Sequence, residues 1–240
     1  MKYLYGPINS RRLGLSLGIN LTPPKTCTFD CVYCQLGKTS IRIIKRSEYI
    51  RLSEITEELK EWLNSHKDTV ESLGYITISG SGEPTLNSKI SDLISFIKGL
   101  SGIKVAVITN ASLLTDPSVR KDISGADLII PSLDAATQEV FQKVDRPHEA
   151  LKIEEIINGL IALRSQFKGK IWLEVMLVKG INDDIRHIRK LKEIIERINP
   201  DKVQLNSPVR TASEAGILPV SEDKLKKIKS IFSSDRVELI

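Results

Sequence analysis

Three cysteines sit in "TPPKTCTFDCVYCQLGKT", Thr22 to Thr39, at Cys27, Cys31 and Cys34, and they are the only cysteines in 240 residues. Three thiols cannot all pair as disulfides, so metal binding or catalysis is the better reading of the cluster. A structural zinc site wants four ligands, usually as two paired arms. Here three thiolates are offered, and the histidines His66, His148 and His187 lie on expected helices or in distant loops. A zinc site of three cysteines and one histidine stays open on spacing alone, as do unligated cysteines. Iron–sulfur cubanes also take thiolate ligands, normally four. Three closely spaced thiolates would leave one iron without a protein ligand, and an open metal position suits a site that binds a reactant.

These residues need a scaffold, and the rest of the chain reads as one. Strands are expected over "YITIS" (75–79), "KVAVITN" (104–110), "DLIIPSLD" (127–134), "KIWLEVMLV" (170–178) and "KVQLN" (202–206), with a first strand near 15–21. Amphipathic helices fall between them: "SEITEELKEWLNSHK" with Ser53 as N-cap, "SKISDLISFIKGL", a short one near 115–123, "QEVFQKV", "KIEEIINGLIALRSQF", "DDIRHIRKLKEIIERI" stopped by Pro200, and "SEDKLKKIKSIF". Strand–helix alternation repeated about six times implies parallel strands with helical crossovers. Polar or Gly-containing turns follow the strands: "SGSGEP", "TNAS", "SLDA", "VKGIND" and "LNSPVR". In parallel barrels functional loops gather at that end. No compositional break divides the chain, so residues 1–240 read as a single domain, with the cysteine loop at 25–38 and a C-terminal helix and tail at 221–240.

Charge is unevenly placed. Residues 1–51 hold nine basic groups, among them Arg11, Arg12, Lys25, Lys38 and Arg42, against Asp30 and Glu48 alone. Such a segment can attract phosphates or nucleic acid. The N-terminus has no apolar core of a signal peptide, and the apolar runs are too short for a bilayer, so a cytoplasmic protein without a membrane partner is expected.

"CTFDCVYC" resembles the cluster motif of the radical S-adenosylmethionine (SAM) enzymes. The resemblance implies one [4Fe–4S] cluster on Cys27, Cys31 and Cys34, whose fourth iron is chelated by the methionine part of SAM. Tyr33 stands where the family has an aromatic near the cofactor. "SGSGEP" is similar to the family's Gly-Gly-Glu-Pro turn, with Ser81 in place of the first Gly and Gly82, Glu83 and Pro84 matching. Asn110, and Ser132 with Asp134, look like the family's ribose and carboxylate contacts. Over residues 7–210 the resemblance implies a partial parallel (β/α)6 barrel. It also implies reductive cleavage of SAM to methionine and a 5′-deoxyadenosyl radical that takes hydrogen from a substrate. A low-potential electron donor of ferredoxin or flavodoxin type would be the partner.

The opening 35-residue stretch from Tyr5 resembles a short group usually placed with the wyosine synthetases, which rebuild a guanine in tRNA. That points to tRNA or another RNA as substrate, with Arg11, Arg12, Gln204, Asn206 and Arg210 as substrate-contacting candidates. The chain lacks the additional cysteines with which those enzymes hold a second cluster. Two alternatives stand beside this reading: a protein-modifying activase of glycyl-radical type, and a non-enzymatic iron–sulfur or zinc module.

Overall fold

The computed structural model describes residues 1–10, 12–210 and 212–240. The chain begins with β1 (Leu4–Ser10) and β2 (Gly14–Asn20), then a two-residue pair, β3 (Thr26–Cys27) with β4 (Ile41–Arg42). Helices α1 (Leu52–Ser65) and α2 (Lys67–Val70) lead to β5 (Tyr75–Ser79). Alternation follows: α3 (Ile90–Leu100), β6 (Lys104–Thr109), α4 (Pro117–Asp122), β7 (Leu128–Pro131), α5 (Gln138–Val144), α6 (Ile153–Gln166) and β8 (Lys170–Met176). The chain closes with α7 (Ile185–Ile198), β9 (Lys202–Asn206), α8 (Glu222–Phe232) and β10 (Val237–Leu239).

Among the described residues, eight strands form one sheet in the order β1-β2-β5-β6-β7-β8-β9-β10. From β2 to β10 every pairing is parallel, and only β1 runs antiparallel to its neighbour. The six strands β2 and β5–β9 are those of a partial (β/α)6 barrel. Period-two alternation divides each strand between two faces. Leu17, Ile19, Ile76, Ile78, Val105, Val107, Leu173 and Val175 bury one face beneath the helices, against Ile55, Leu59, Leu93 and Ile97. The other face holds a separate apolar floor of Leu13, Ala106, Leu128 and Ile130. Polar side chains lie on that same face, where Thr77 Oγ1 donates to Ser16 Oγ (3.2 Å) and Asn206 Nδ2 donates to Glu174 Oε1 (3.0 Å). Tyr5 of β1 lies flat over Gly18 of β2, where a Cβ would enter its ring, and its hydroxyl meets Ser79.

One expectation needs correction, and two edge strands went unread. Ser53 is not the N-cap of α1. Arg51 holds that position, and Glu48 Oε1 accepts from the Leu52 N–H (2.8 Å), so a carboxylate reaching forward replaces a hydroxyl cap. The tail after α8 is a strand, paired parallel with β9 through Val237–Val203 and Leu239–Leu205. Residues 4–10 are also a strand: Pro7 is tolerated there because β1 is an edge. By contrast α7 ends as expected. Asn199 takes the left-handed conformation (φ 53°) just before Pro200.

Candidate metal and cofactor site

The cysteine loop is anchored from several sides. At its base Thr26 and Cys27 pair with Ile41 and Arg42. Two turns follow, Cys34 N–H to Cys31 O (3.1 Å) and Gly37 N–H to Cys34 O (3.3 Å). The end of α5 and the segment after it run along the other side, with Val32 N–H donating to Val144 O (2.9 Å), Asp30 N–H to Asp145 O (3.0 Å) and His148 N–H to Thr28 O (2.9 Å). Phe29 meets Phe141 edge to face at 5.2 Å. Ser213 Oγ closes over the top, within 3.0 Å of Cys31 O and 2.9 Å of Val32 O. The segment carrying His148 is therefore beside the loop rather than distant, although Nδ1 of its ring accepts from the Ala150 N–H (3.2 Å).

Each sulfur has its own neighbour. Asn110 Nδ2 lies 3.5 Å from Cys27 Sγ, Asp145 Oδ1 lies 3.5 Å from Cys31 Sγ, and Lys25 Nζ lies 3.6 Å from Cys34 Sγ. Burial first, and then the Glu83 carboxylate, push the Cys27 thiol up to about 12. Burial and then Asp145 push Cys31 well above the ordinary thiol range. Without a metal these two sulfurs hold their protons, and ligation would release them, as metals do from thiols. Among the described residues no three His, Cys, Asp or Glu side chains converge tightly enough for a single metal ion.

The "SGSGEP" turn is bonded directly to this loop. Ser81 O accepts from the Lys25 N–H (2.8 Å), and Glu83 N–H donates to Thr26 O (3.1 Å). Ser81 N–H and Oγ both donate to Asn20 Oδ1, at 2.9 and 3.1 Å. At Gly82 a Cβ would run into the Thr26 carbonyl and the Thr22 hydroxyl, so only glycine lets the turn close on the loop. Pro84 opens a single 3₁₀ turn, Pro84–Leu86, capped by the Glu83 side chain. That carboxylate is 2% exposed. Its Oε1 accepts from Thr85 N–H (3.0 Å), Thr85 Oγ1 (2.5 Å) and Thr109 Oγ1 (2.6 Å), and its Oε2 accepts from Asn110 N–H (2.8 Å). Its side chain thus joins the turn after β5 to the end of β6. Burial raises its proton affinity, against the pull of those donors.

Asn110 follows β6. Besides Cys27, its Nδ2 donates to Thr28 Oγ1 (2.7 Å), and its Oδ1 accepts from Ser112 N–H (3.1 Å). After β7, Ser132 and Asp134 line a small cavity with Tyr33, Asn110 and Asp145, walled by Phe29 and Phe141. The Tyr33 hydroxyl donates to Asp134 Oδ2 in a short bond, and Met176 N–H donates to Asp134 Oδ1 (2.7 Å). Burial raises the Asp134 carboxyl to about 7 and lifts that of its neighbour Asp145 well above the usual range. Two adjacent buried carboxylates in one pocket hold a proton between them.

Asp145 and Asn182 escaped sequence reading. Asp145 meets Cys31 across 114 residues, which no local pattern signals. Asn182 belongs to the noted "VKGIND" turn. Its Nδ2 donates to Asp134 O (2.9 Å) and Met176 O (2.8 Å), joining the loops after β7 and β8.

The substrate candidates fall in two places. Arg12, Gln204 and Asn206 share the concave face around Glu174. Arg12 Nη1 is 3.0 Å from Glu174 Oε2, without the alignment of a hydrogen bond. Gln204 Nε2 donates to Glu238 (2.7 Å), while its buried Oε1 has no partner among the described residues. Arg210 is elsewhere, with Nη1 donating to Gln35 Oε1 (3.0 Å) on the outer lip of the cysteine loop. Arg11 lies outside the described residues.

Parallel barrel, three-thiol loop and Gly-Glu-Pro turn together define a class, and the family model of the radical SAM superfamily matches residues 21–191. The chain belongs to that superfamily, and it is an enzyme of that kind. Among its relatives, the UPF0026 protein MJ1312 of Methanocaldococcus jannaschii is 36% identical over 97% of this chain and 72% of its own length. A Brachyspira hyodysenteriae protein named GTPase Obg is 41% identical over 98% of this chain, which spans only 34% of that protein. Its name does not transfer: Gly37-Lys38-Thr39 lacks the leading glycine of a phosphate-binding P-loop, where Val32 stands. A probable dual-specificity RNA methyltransferase of Thermotoga maritima is 26% identical over 88% of this chain and 60% of its own. The solved structure of TYW1 with a lysine-pyruvate adduct superposes with a TM-score of 0.65 at 21% identity, covering 92% of this chain and 73% of that one. That likeness is one of fold.

Proposed function

We propose that Cys27, Cys31 and Cys34 hold a single [4Fe–4S] cluster whose open iron takes SAM, and that one substrate-modifying site lies on the concave face. The observation that carries this reading is the direct bonding of the Ser81–Glu83 turn to the base of the three-thiol loop. Three thiols on one short loop, with no second paired arm of ligands in the sequence, suit a cubane with one open iron. When bound and reduced by one electron, the pair supplies reductive cleavage of SAM to methionine and a 5′-deoxyadenosyl radical.

The chain's own residues then have separable tasks. Gly82 lets the turn close on the base of the cysteine loop, and Ser81 ties it to Asn20 and Lys25. Asn110 holds Cys27 and, with Ser132, the pocket beyond it. Tyr33, Asp134 and Asp145 make a buried acidic patch beside Cys31, suited to the positive groups of SAM. Pro84 and Glu83 fix the turn without needing to touch the ligand. The floor of Leu13, Ala106, Leu128 and Ile130 keeps water from the far end of the barrel.

The substrate reading is RNA. It rests on the basic 1–51 segment, the resemblance to the wyosine synthetases, and the RNA-methylating relative. Arg12, Gln204 and Asn206 would face the substrate, with Arg11 from the same segment. We further read the chain as one radical SAM domain acting in the cytoplasm; no helix among the described residues is long and apolar enough to cross a membrane.

Anaerobic reconstitution tests the first part. The wild type should bind iron and sulfide in equal amounts and release methionine and 5′-deoxyadenosine from SAM under dithionite. Cys27→Ala, Cys31→Ala and Cys34→Ala should each lose the cluster. An intact cluster that leaves SAM unchanged would sink the enzymatic assignment. The RNA part is tested by binding of the holoprotein to bulk tRNA across salt concentrations, where affinity should fall steeply.

A further inference from the structure

A cavity of about 220 Å³ opens on the helical side of the sheet, between α4 and the end of α6. The cavity beside Tyr33 holds only about 10 Å³, and the two share no lining residue. Leu163 and Phe167 give the larger one apolar walls, and Arg120, Lys121, Ser124 and Gln166 give it polar ones.

Arg120 is its unusual member. It is 8% exposed, yet among the described residues no carboxylate pairs with it or with Lys121. Three neutral oxygens hold it instead. Its Nε donates to Gln166 Oε1 (2.8 Å), and its Nη1 donates to Leu114 O (2.6 Å) and Thr115 O (3.0 Å). Its Nη2 has no partner among the described residues and is not sealed from solvent. Asp116, one turn earlier, is committed to capping α4 through the Ser118 N–H (2.7 Å). The backbone that Arg120 grips is itself tightly packed: a Cβ at Gly159 of α6 would stand 2.7 Å from the Leu114 carbonyl carbon. The guanidinium is thus held in place before any ligand arrives. Buried charges are normally paired with a counter-charge. Guanidinium N–H groups are preferred donors to carboxylates and phosphates, and apolar walls beside them select an anion with an apolar body.

We propose that the cavity between α4 and α6 binds a small organic anion, a carboxylate or phosphate on an apolar body. Arg120 Nη2 and the Lys121 ammonium take the anionic head, and Leu163 and Phe167 take the body. The site goes beyond the cofactor and substrate readings above and does not depend on them.

Calorimetry of the anaerobically prepared protein, with saturating SAM to occupy the cofactor space, tests this with phenyl phosphate, benzoate, inorganic phosphate and benzyl alcohol. Binding of phenyl phosphate or benzoate at one site supports the proposal, and the tighter of the two names the head group. Inorganic phosphate and benzyl alcohol should each bind at least about tenfold more weakly, since each keeps only the head or the body. Gln166→Glu is near-isosteric and gives Arg120 the carboxylate it lacks. It should weaken phenyl phosphate and benzoate by at least about tenfold while urea stability holds or rises. Ser124 is exposed where it lines the cavity, so Ser124→Phe should block entry and leave Arg120 untouched. Absence of binding by both phenyl phosphate and benzoate overturns the proposal. So does binding that Gln166→Glu and Ser124→Phe leave unchanged, which would put the anion elsewhere. Inorganic phosphate binding as tightly as phenyl phosphate would make this a bare phosphate site. Displacement of phenyl phosphate by bulk tRNA would make it a contact for nucleic-acid phosphates. Either result also overturns the proposal. Should Gln166→Glu fail to fold, Lys121→Glu carries the same charge test, with the same direction expected.

Discussion

The two halves of the concave face are built differently. On the side of β2, β5, β6 and β7, polar side chains around the thiols are bonded to the backbone or to each other. Glu83 alone accepts four hydrogen bonds, and Asn110, Asn20 and Ser81 are similarly engaged. Beside β8 and β9, Gln204 Oε1 is buried with no partner among the described residues, and Arg12 faces Glu174 without the alignment of a hydrogen bond. Buried polar groups are normally satisfied, so this contrast carries information. A site that always receives the same cofactor can be fully pre-organised. On the reading proposed above, the unmet groups beside β8 and β9 are held for a substrate, at a cost in stability.

The largest expected effect tests the organised half. Glu83→Ala would leave Thr85, Thr109 and the Asn110 N–H without their acceptor in a buried place. At about 1 kcal/mol per lost bond, stability should fall by about 4 kcal/mol, visible in urea unfolding of the cluster-free protein. Glu83→Gln should fall less, since an amide oxygen still accepts. A loss below ~1 kcal/mol for Glu83→Ala would show that the turn does not depend on this carboxylate.

Next comes the acidic patch. The Asp134 carboxyl is raised to about 7 by burial, so folding favours its protonated form. The sign follows from linkage. This contribution to stability is complete below the ordinary carboxyl range and is lost as pH rises through about 7. The cluster-free protein should therefore lose stability between about pH 4 and pH 8, and Asp134→Asn should reduce that slope, leaving the part due to Asp145. An unchanged slope in Asp134→Asn would place the proton elsewhere.

The barrel half should respond more mildly. Arg12→Met leaves Glu174 without a cation, but both side chains keep some solvent contact, with 21% and 10% exposure. About 2 kcal/mol is expected, below the range for fully buried pairs. The double change Arg12→Met with Glu174→Met should recover most of it. If RNA contacts this face, the double variant should also bind tRNA more weakly than the wild type.

Much of this was readable before the structure. Alternating apolar runs from 75 to 206 gave the parallel strands, because buried crossovers leave a strong periodic signal. The thiol spacing and the Gly-Glu-Pro turn announced the chemistry. What stayed hidden depends on distant contact. Asp145 reads as an ordinary helix end in "QKVDRP", and only folding sets it against Cys31. Edge strands were equally silent: β1 contains Gly6 and Pro7, and β10 has three residues. Glu83 was legible as part of a motif, yet its four-bond link to β6 was not, since Thr109 and Asn110 lie one helix away. Arg210 looked like a companion of Gln204 and Asn206 in sequence, but the chain turns after β9 and carries it to the cysteine loop.

The smallest effect separates two roles of Lys25, which belongs to the organised half. Its backbone is left-handed, with φ 63°, a strained state for lysine that glycine adopts freely. Its ammonium bonds to Gly37 O and lies 3.6 Å from Cys34 Sγ. Lys25→Gly keeps the backbone and removes the cation, so relief of strain and loss of the lysine bond should nearly cancel, within about 1 kcal/mol. Lys25→Met keeps the strain and loses the cation, so it should be the less stable of the two. In both, the cluster potential should move down, because a cation beside the thiolate favours the more negative reduced state. A potential that stays at the wild-type value in both variants would leave Lys25 with only a structural task at the neck of the loop. A downward shift in both, with stability falling in Lys25→Met alone, would assign the charge to the cluster and the backbone to the fold.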